Sequence, residues 1–488
     1  MNIRISEKHW REVEHLTSLS FVGGLEFAPE TGCILLVAEN DHAFRPCLLV
    51  AEVLEPETGE LLEQGSGGIT FASRFLRRGL LRVRERGLKG FLTVHTHPSA
   101  DKRVSFSLFD DSNDPELMAN FYELEPAGLF GSVVLGRDAI CARLWRNGAP
   151  VYLEQLVCVG EQVSFRELSG KAPKELPKPQ AIFDRSAAIT GAGASYRMSQ
   201  LRIALVGTSG TGSLMLELLA RAGAGEVVVF EFDSADETNL NRVLHLRQCD
   251  ADTKARKADR LRDAILESGL PTNVTVVAGG DIRDVAVADE LRGCDLLVGC
   301  VDRDWPRLIL CEVAQQYLIP YLDLGTEIGA VADAIQSLDA RVSYIGPDRP
   351  CLKCAKIISE EQIRLEGYGE AERARVVGMG YSKDLPLRAP SVMDLNMRTA
   401  SIAMLWIRHL LQPFLKTPLP HALKESVTNF ATKEMYYTRN PECRVCGEPL
   451  RAGSGGRFQL TTRQKKENFV SDRDQPGAAE GQAMEITL

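Results

Sequence analysis

Short apolar runs bounded by glycine, proline and polar residues recur through the first third of the chain. Cys33-Ile-Leu-Leu-Val37 and Phe91-Leu-Thr-Val94 have the length and content of buried strands, and Gly131–Leu135 repeats the pattern. Asp114–Tyr122 reads as helical. Together these elements predict one α+β unit over residues 1–165. Gly170-Lys-Ala-Pro-Lys-Glu-Leu-Pro-Lys-Pro-Gln180 sets three prolines among alternating charges and marks a linker over 166–181.

From Leu201 the pattern changes. Strand-like Ile203–Val206, Glu226–Phe230, Val274–Val277 and Leu296–Val298 alternate with helices after Gly212 and across Lys254–Ser268. That alternation predicts an α/β fold with a doubly wound, mostly parallel, Rossmann-like sheet. Ala340–Tyr344 and Val427–Tyr437 read as antiparallel strands, and Met393–Leu411 as a long helix, within a unit over 182–450. Residues 451–488 turn polar and rich in Gly, Ser and Gln, which predicts a disordered tail.

Composition narrows the function classes. The 488 residues are 44% hydrophobic and 25% charged, with a formal net charge of −9. This is globular composition, and an acidic chain lacks the clustered Lys and Arg that phosphate backbones require. No apolar run approaches the roughly 18 residues of a membrane span, and the opening MNIRISEKHWREVEHL lacks a signal-peptide core. A cytoplasmic protein without nucleic-acid or membrane partners is the expectation. In a reducing compartment its 12 cysteines read as thiols or metal ligands.

His95-Thr-His97-Pro98 follows a strand-like run. Residues i and i+2 of a strand face one side, so the two imidazoles converge. Asp110, in Ser105-Phe-Ser107-Leu-Phe-Asp110, is a candidate third ligand. Two histidines and a carboxylate leave a fourth tetrahedral position for water, the layout of catalytic zinc. Glu30 is the candidate base, with Glu26 and Glu39 in competition, and Ser107 a candidate donor to a developing oxyanion. The order Glu, His-x-His-Pro, Ser-x-x-Asp resembles the JAB/JAMM metallopeptidases over about residues 1–160. That resemblance implies a zinc isopeptidase, or the same fold kept as a docking module. Ser107 and Asp110 follow His97 by 10 and 13 residues, a longer spacing than the family's.

Gly207-Thr-Ser-Gly210-Thr-Gly212 joins a strand to a helix, where glycines admit phosphates to free N–H groups. Glu231 lies 19 residues beyond Gly212, where an acid meets a ribose hydroxyl. The continuation Glu231-Phe-Asp233-x-x-Asp236-Glu-Thr-Asn239-Leu-Asn241-Arg242 resembles the ThiF/MoeB adenylyltransferases and ubiquitin-activating enzymes. The resemblance spans 182–450 and implies ATP and Mg2+. It places Asp233, Asn239 and Asn241 at the nucleotide, Arg242 and Lys257 (or Lys254) on the phosphates, and Asp302 on Mg2+. Arg185 would reach a neighbouring subunit's site, which implies a homodimer.

Cys351-Leu-Lys-Cys354 and Cys443-Arg-Val-Cys446 form two knuckles suited to one closed, structural Zn2+ site, and the same family carries them. Residues 355–442 contain no cysteine, and neither Cys249 nor Cys300 resembles a catalytic thiol. The expected activity is adenylation of the C-terminal glycine of a ubiquitin-like protein, ending at the acyl-adenylate. The product would pass to a conjugating enzyme in a bacterial, antiphage-type system, with the JAMM unit processing or removing the modifier. A sulfur-carrier protein as substrate, or a non-catalytic scaffold, are the alternatives.

Overall fold

The computed structural model describes residues 1–21, 28–65, 68–170, 178, 180–331, 334–368, 372, 375–376, 390–447 and 451–463. In chain order the first strands are β1 (Asn2–Ser6), β2 (Gly32–Asn40), β3 (Cys47–Leu54), the hairpin pair β4 (Leu61–Gly65) and β5 (Gly68–Phe71), and β6 (Gly90–Thr96). Then come β7 (Leu129–Leu135), β8 (Ile140–Arg146), β9 (Ala149–Tyr152), β10 (Gln155–Val159) and β11 (Val163–Glu167). All but β4 and β5 form one nine-stranded sheet in the order β11-β10-β1-β3-β2-β6-β7-β8-β9. Strand β2 is apolar from Cys33 to Ala38 because both of its faces are covered there. Cys33, Leu35 and Val37 cluster with Trp10 and Val13 of helix Glu7–Thr17, and Ile34 and Leu36 with Phe75, Leu80 and Val83 of helix Ser73–Arg86.

The second sheet holds β12 (Arg202–Val206), β13 (Glu226–Phe230), β14 (Asn273–Val276), β15 (Leu296–Gly299), β16 (Tyr321–Val331), β17 (Ala334–Ile345), β18 (Ala422–Ser426) and β19 (Ala431–Met435). Their order is β14-β13-β12-β15-β16-β17-β18-β19. Pairing is parallel from β14 to β16 and antiparallel from there on. The winding reverses between β12 and β15, because β13 lies on one side of β12 and β15 on the other. Open α/β sheets bind ligands at such a switch point, outside the carboxyl ends of the strands. Helix Met393–Leu411 forms as read and buries Ala400, Ala403, Met404 and Ile407 in the core of this sheet.

Two readings differ from the structure. Val427–Tyr437 is not one strand: β18 turns at Val427–Phe430, with Phe430 at φ +48, before β19 begins. The polar stretch after residue 450 does not leave the fold at once. Gly453 N donates to Gln315 O at 3.1 Å, Thr461 N to Glu312 Oε2 at 2.8 Å, and Arg463 pairs with Asp284 at 2.9 Å. Hydrogen bonds and ion pairs hold most of this strap, and its few apolar residues, Phe458 and Leu460 among them, gave no periodic pattern to mark it. Residues 464–488 and most of the linker (171–177, 179) lie outside the described residues.

The second unit covers part of the face of the first sheet that helix Ser73–Arg86 leaves open. Arg4, buried on β1, donates to Cys294 O at 3.0 Å and to Asp295 at 3.1 Å. Asn40 donates to Arg292 O at 2.9 Å. No helix among the described residues is long and apolar enough to cross a membrane.

Candidate functional site

Three adjacent parallel strands, β13, β12 and β15, deliver chemistry to one edge. After β12, Gly207 turns at φ +85 and donates to Phe230 O at 2.9 Å. A Cβ on Gly212 would overlap the Gly207 carbonyl oxygen, and one on Gly207 would come within 2.9 Å of Cys300 O. Only glycine permits this approach. Helix Gly210–Arg221 starts inside the turn, so the N–H groups of Gly210, Thr211 and Gly212 have no intrahelical acceptor and carry the positive end of its dipole.

Glu231 follows β13 and is buried. Its Oε2 accepts from Thr208 N at 2.9 Å and Thr208 Oγ1 at 3.2 Å, its Oε1 from Phe232 N at 3.0 Å and Asp233 N at 2.9 Å. Four donors fill the carboxylate. Glu231, expected at the ribose, thereby fastens the glycine turn to β13. Asp233 is the acid left at the rim, with a side chain 56% exposed and bonded to Lys257 Nζ at 3.0 Å. Lys257 is buried in the first turn of helix Lys257–Glu267. Its competitor Lys254 points away, pairing with Asp236 at 3.4 Å on the surface.

Asn239 closes its own turn, with Oδ1 accepting from Asp236 N at 3.2 Å. Hydrogen bonds from Thr238 hold the Asp236 carboxyl down at about 2. Arg242 folds back on this turn, donating to Thr238 O and to Asn241 Oδ1, so the structure does not bring it to Lys257. Asp302 is exposed three residues beyond the end of β15, on the same edge as the glycine turn. Behind it lies a cluster the sequence reading missed. Asp323 on β16 is fully buried and meets Arg307 at 3.1 Å, Arg341 at 3.0 Å and the Tyr321 hydroxyl at 2.9 Å. A lone aspartate inside Tyr321-Leu-Asp-Leu was its signal.

Arg185 stands apart. It is exposed on the first turn of helix Asp184–Gln200, and the preceding Phe183 abuts Gly223. Gly223 follows the far end of helix Gly210–Arg221, whose 12 residues span about 18 Å. Within one chain Arg185 does not join the glycine turn.

The second constellation forms where β6 ends. Pairing of Gly32 with His95 brings the start of β2 to the same corner, and with it Glu30, whose N–H donates to Gly65 O at 2.9 Å. His95 Nε2 and His97 Nε2 lie 3.2 Å apart, Asp110 Oδ1 is 3.1 Å from the first and Oδ2 3.5 Å from the second. Glu30 offers an oxygen within 4.8 Å of both imidazoles. A tetrahedral Zn2+ with Zn–N near 2.0–2.1 Å sets its nitrogens about 3.3 Å apart, so these residues fit the ion. Burial pushes the Glu30 carboxyl up, against the pull of both histidines. Burial also works to raise Asp110, but hydrogen bonds with His95 and His97 outweigh it and leave that carboxyl well below the usual range. Glu39 is at the far end of β2, paired with Arg146 at 3.0 Å, and Glu26 lies outside the described residues.

Ser107 differs from its reading. It is the N-cap of helix Leu108–Leu124, accepting from Asp110 N at 3.2 Å while its hydroxyl donates to Asp110 Oδ2 at 2.7 Å. That proton is committed to the ligand, not open to an oxyanion. The Ser-x-x-Asp spacing is also a capping-box spacing, a signal available in the sequence. Arg143, missed as well, is buried against the Phe106 ring at 3.7 Å and holds Asp111 at 2.5 Å and Asp114 at 2.8 Å, which ties the first two turns of this helix to β8.

The four knuckle cysteines converge although 92 residues separate the pairs. Cys351 and Cys443 sulfurs are 3.7 Å apart, Cys354 and Cys446 sulfurs 3.5 Å, and all four lie within 4.8 Å. Four thiolates at about 2.3 Å from one Zn2+ stand about 3.8 Å apart, so the set fits a closed tetrahedral site.

A switch-point glycine turn with a buried lysine and acids along one strand edge defines a Rossmann-like, nucleotide-binding class of protein. Residues 183–445, over half of the chain, match the model of the ThiF family, and the chain belongs to that family. It is similar to ubiquitin-like modifier-activating enzyme 5 of Oryza sativa subsp. japonica, 26% identical over 193 residues, 38% of this chain and 46% of that protein. The Arabidopsis thaliana protein of that name is 25% identical over 196 residues, 38% of this chain and 45% of its own. The chain thus spans about half the length of the curated relatives it matches. Among solved structures, E. coli MccB with ATP is 16% identical, with 56% of this chain and 76% of that chain covered and a TM-score of 0.42.

Proposed function

We propose that this chain is an ATP-dependent adenylyltransferase acting on the terminal carboxylate of a ubiquitin-like protein, with a JAMM-type zinc isopeptidase in residues 1–165. The observation that carries the first part is the gathering of the glycine turn, Lys257 and Asp302 along one edge at the switch point. The carboxylate oxygen attacks the α-phosphorus of ATP, the bond to the bridging oxygen breaks, and pyrophosphate leaves with the electron pair. Negative charge grows on the phosphates, where helix N–H groups are already aimed. Lys257 exchanges Asp233 for phosphate oxygen, and Arg242 swings off Thr238 to do the same. Asp233, exposed at the rim, would bond the ribose, while Asn239 and Asn241 shape the loop that carries Arg242. Asp302 would hold Mg2+, which supplies further neutralisation of charge. The position of Arg185, about 18 Å along the helix from its own glycine turn, supports a homodimer in which it serves the neighbouring site.

In residues 1–165, His95, His97 and Asp110 would hold Zn2+, which would supply Lewis-acid polarisation for attack of water on a scissile carbonyl. Glu30 faces that point and takes the water's proton. Ser107 keeps Asp110 oriented. The Cys351–Cys446 quartet would hold a structural Zn2+ that ties the chain after β19 to the end of β17.

The absence of cysteine from 355–442 favours a chain that stops at the acyl-adenylate and hands it to a partner thiol. A cytoplasmic bacterial conjugation system of the antiphage kind, with a conjugating enzyme, suits this reading; a sulfur-carrier pathway is the second. Pyrophosphate exchange dependent on a glycine-ended carrier protein is expected, and Asp302→Ala should lower it at least 100-fold. Unchanged exchange in that variant contradicts the assignment, and none in the wild type leaves a binding scaffold.

A further inference from the structure

One buried polar side chain beside the glycine turn has no part in the scheme above. Asn396 lies in the first turn of helix Met393–Leu411 and is 1% exposed. Its Oδ1 accepts from Thr211 Oγ1 at 3.1 Å, and its Nδ2 donates to Ser391 Oγ at 3.1 Å. The same Nδ2 fills the space facing Gly210, where a Cβ would overlap it. A buried amide is expensive unless its bonds are made, and asparagine is a poorer helix former than alanine or leucine. On the same helix, Ala400, Ala403 and Met404 fill their space with apolar atoms. The amide is therefore spent on the turn it touches.

We propose that Asn396 is a positioning residue for the nucleotide phosphates. A free threonine hydroxyl bonds to nearby backbone groups and competes with the helix start. Held by Asn396, Thr211 leaves the N–H groups of Gly210, Thr211 and Gly212 pointing outward. Glu231 fixes the turn through Thr208 from the β13 side, and Asn396 fixes it through Thr211 from the opposite side. Preorganised donors stabilise the charge that develops without reorganising.

This inference rests on the reading of the Gly207–Gly212 turn as the ATP site. Asn396→Ala should weaken ATP binding about tenfold in titration calorimetry with ATP alone, the loss expected from one buried hydrogen bond. In pyrophosphate exchange the KM for ATP should rise by the same factor, with the KM for carrier protein unchanged. Thr211→Val, which leaves Asn396 in place, should give an equal loss, and the double variant no more than either alone. ATP affinity within twofold of wild type in either folded variant overturns the proposal, as does an equal rise in both KM values. Failure of the wild type to bind ATP would instead sink the reading beneath it.

Discussion

At the carboxyl edge of β12 the ligand-facing groups are backbone amides, and the side chains around them already have partners. Glu231 accepts four hydrogen bonds and Lys257 rests on Asp233. At the end of β6 the facing groups are side chains, and they crowd one another. Two imidazole nitrogens stand 3.2 Å apart between Glu30 and Asp110. The backbone donors of the first frame are set by the fold itself. The second gathers lone pairs that only a proton or a cation reconciles. Loss of one side chain should therefore empty the histidine corner outright, whereas the glycine turn should fail outright only when its backbone path is blocked.

The largest effect is expected from His97→Ala. Metal analysis of the wild type should give two zincs per chain, one of them in the cysteine quartet, and the variant should retain one. Two zincs in both proteins would break the comparison, since the corner would then not depend on its imidazoles. Next comes Gly212→Ala. The added Cβ overlaps the Gly207 carbonyl oxygen, so the turn must open. ATP affinity should fall about 100-fold, roughly 2.7 kcal/mol, with both zincs retained. A variant that binds ATP normally would show that the turn is not the phosphate cradle.

The same contrast governs what the sequence discloses. Local patterns carried β12 to β15, part of β17, helix Met393–Leu411, the histidine pair and the cysteine knuckles, because each depends on neighbours within a few residues, whereas β16 and β18 went unread. Partnership at long range stayed hidden. Nothing in Asn2–Ser6 announces that β1 pairs in parallel with β10, 153 residues on (Ile3 with Leu156). The fourfold-bonded state of Glu231 needs Thr208, on another strand's loop. Ser107 was read for its hydroxyl alone, although its spacing to Asp110 equally describes a helix cap. The strap Arg451–Arg463 escaped because composition reports apolar burial, not polar partners on another element.

That strap joins the two regions and gives the finest test. From Gly455, which lies against Ala38 and Glu39 of β2, it runs to Arg463, paired with Asp281 and Asp284 beyond β14. Midway, Thr461 donates from N and Oγ1 to Glu312 at 2.8 and 2.7 Å. Burial lifts the Glu312 carboxyl to about 6 from 4.5, outweighing both hydrogen bonds. The folded chain thus binds this proton more tightly than the unfolded chain. The stability it contributes is complete below pH 4.5 and is lost as pH rises through 6, a difference of about 2 kcal/mol at most. Glu312→Gln removes the titration and keeps an acceptor for Thr461. Its Tm should lack the wild-type decline between pH 4.5 and 7, a gap of a few degrees. Parallel Tm curves would show that Glu312 does not sense burial under the strap. Hydrogen exchange in the same pH series then separates two structures of the molecule. Protection that changes together in β2 and in helix Asp304–Gln316 makes the strap a coupling between the histidine corner's sheet and the nucleotide edge. A change confined to the helix leaves the two regions independent, each failing only by its own rule.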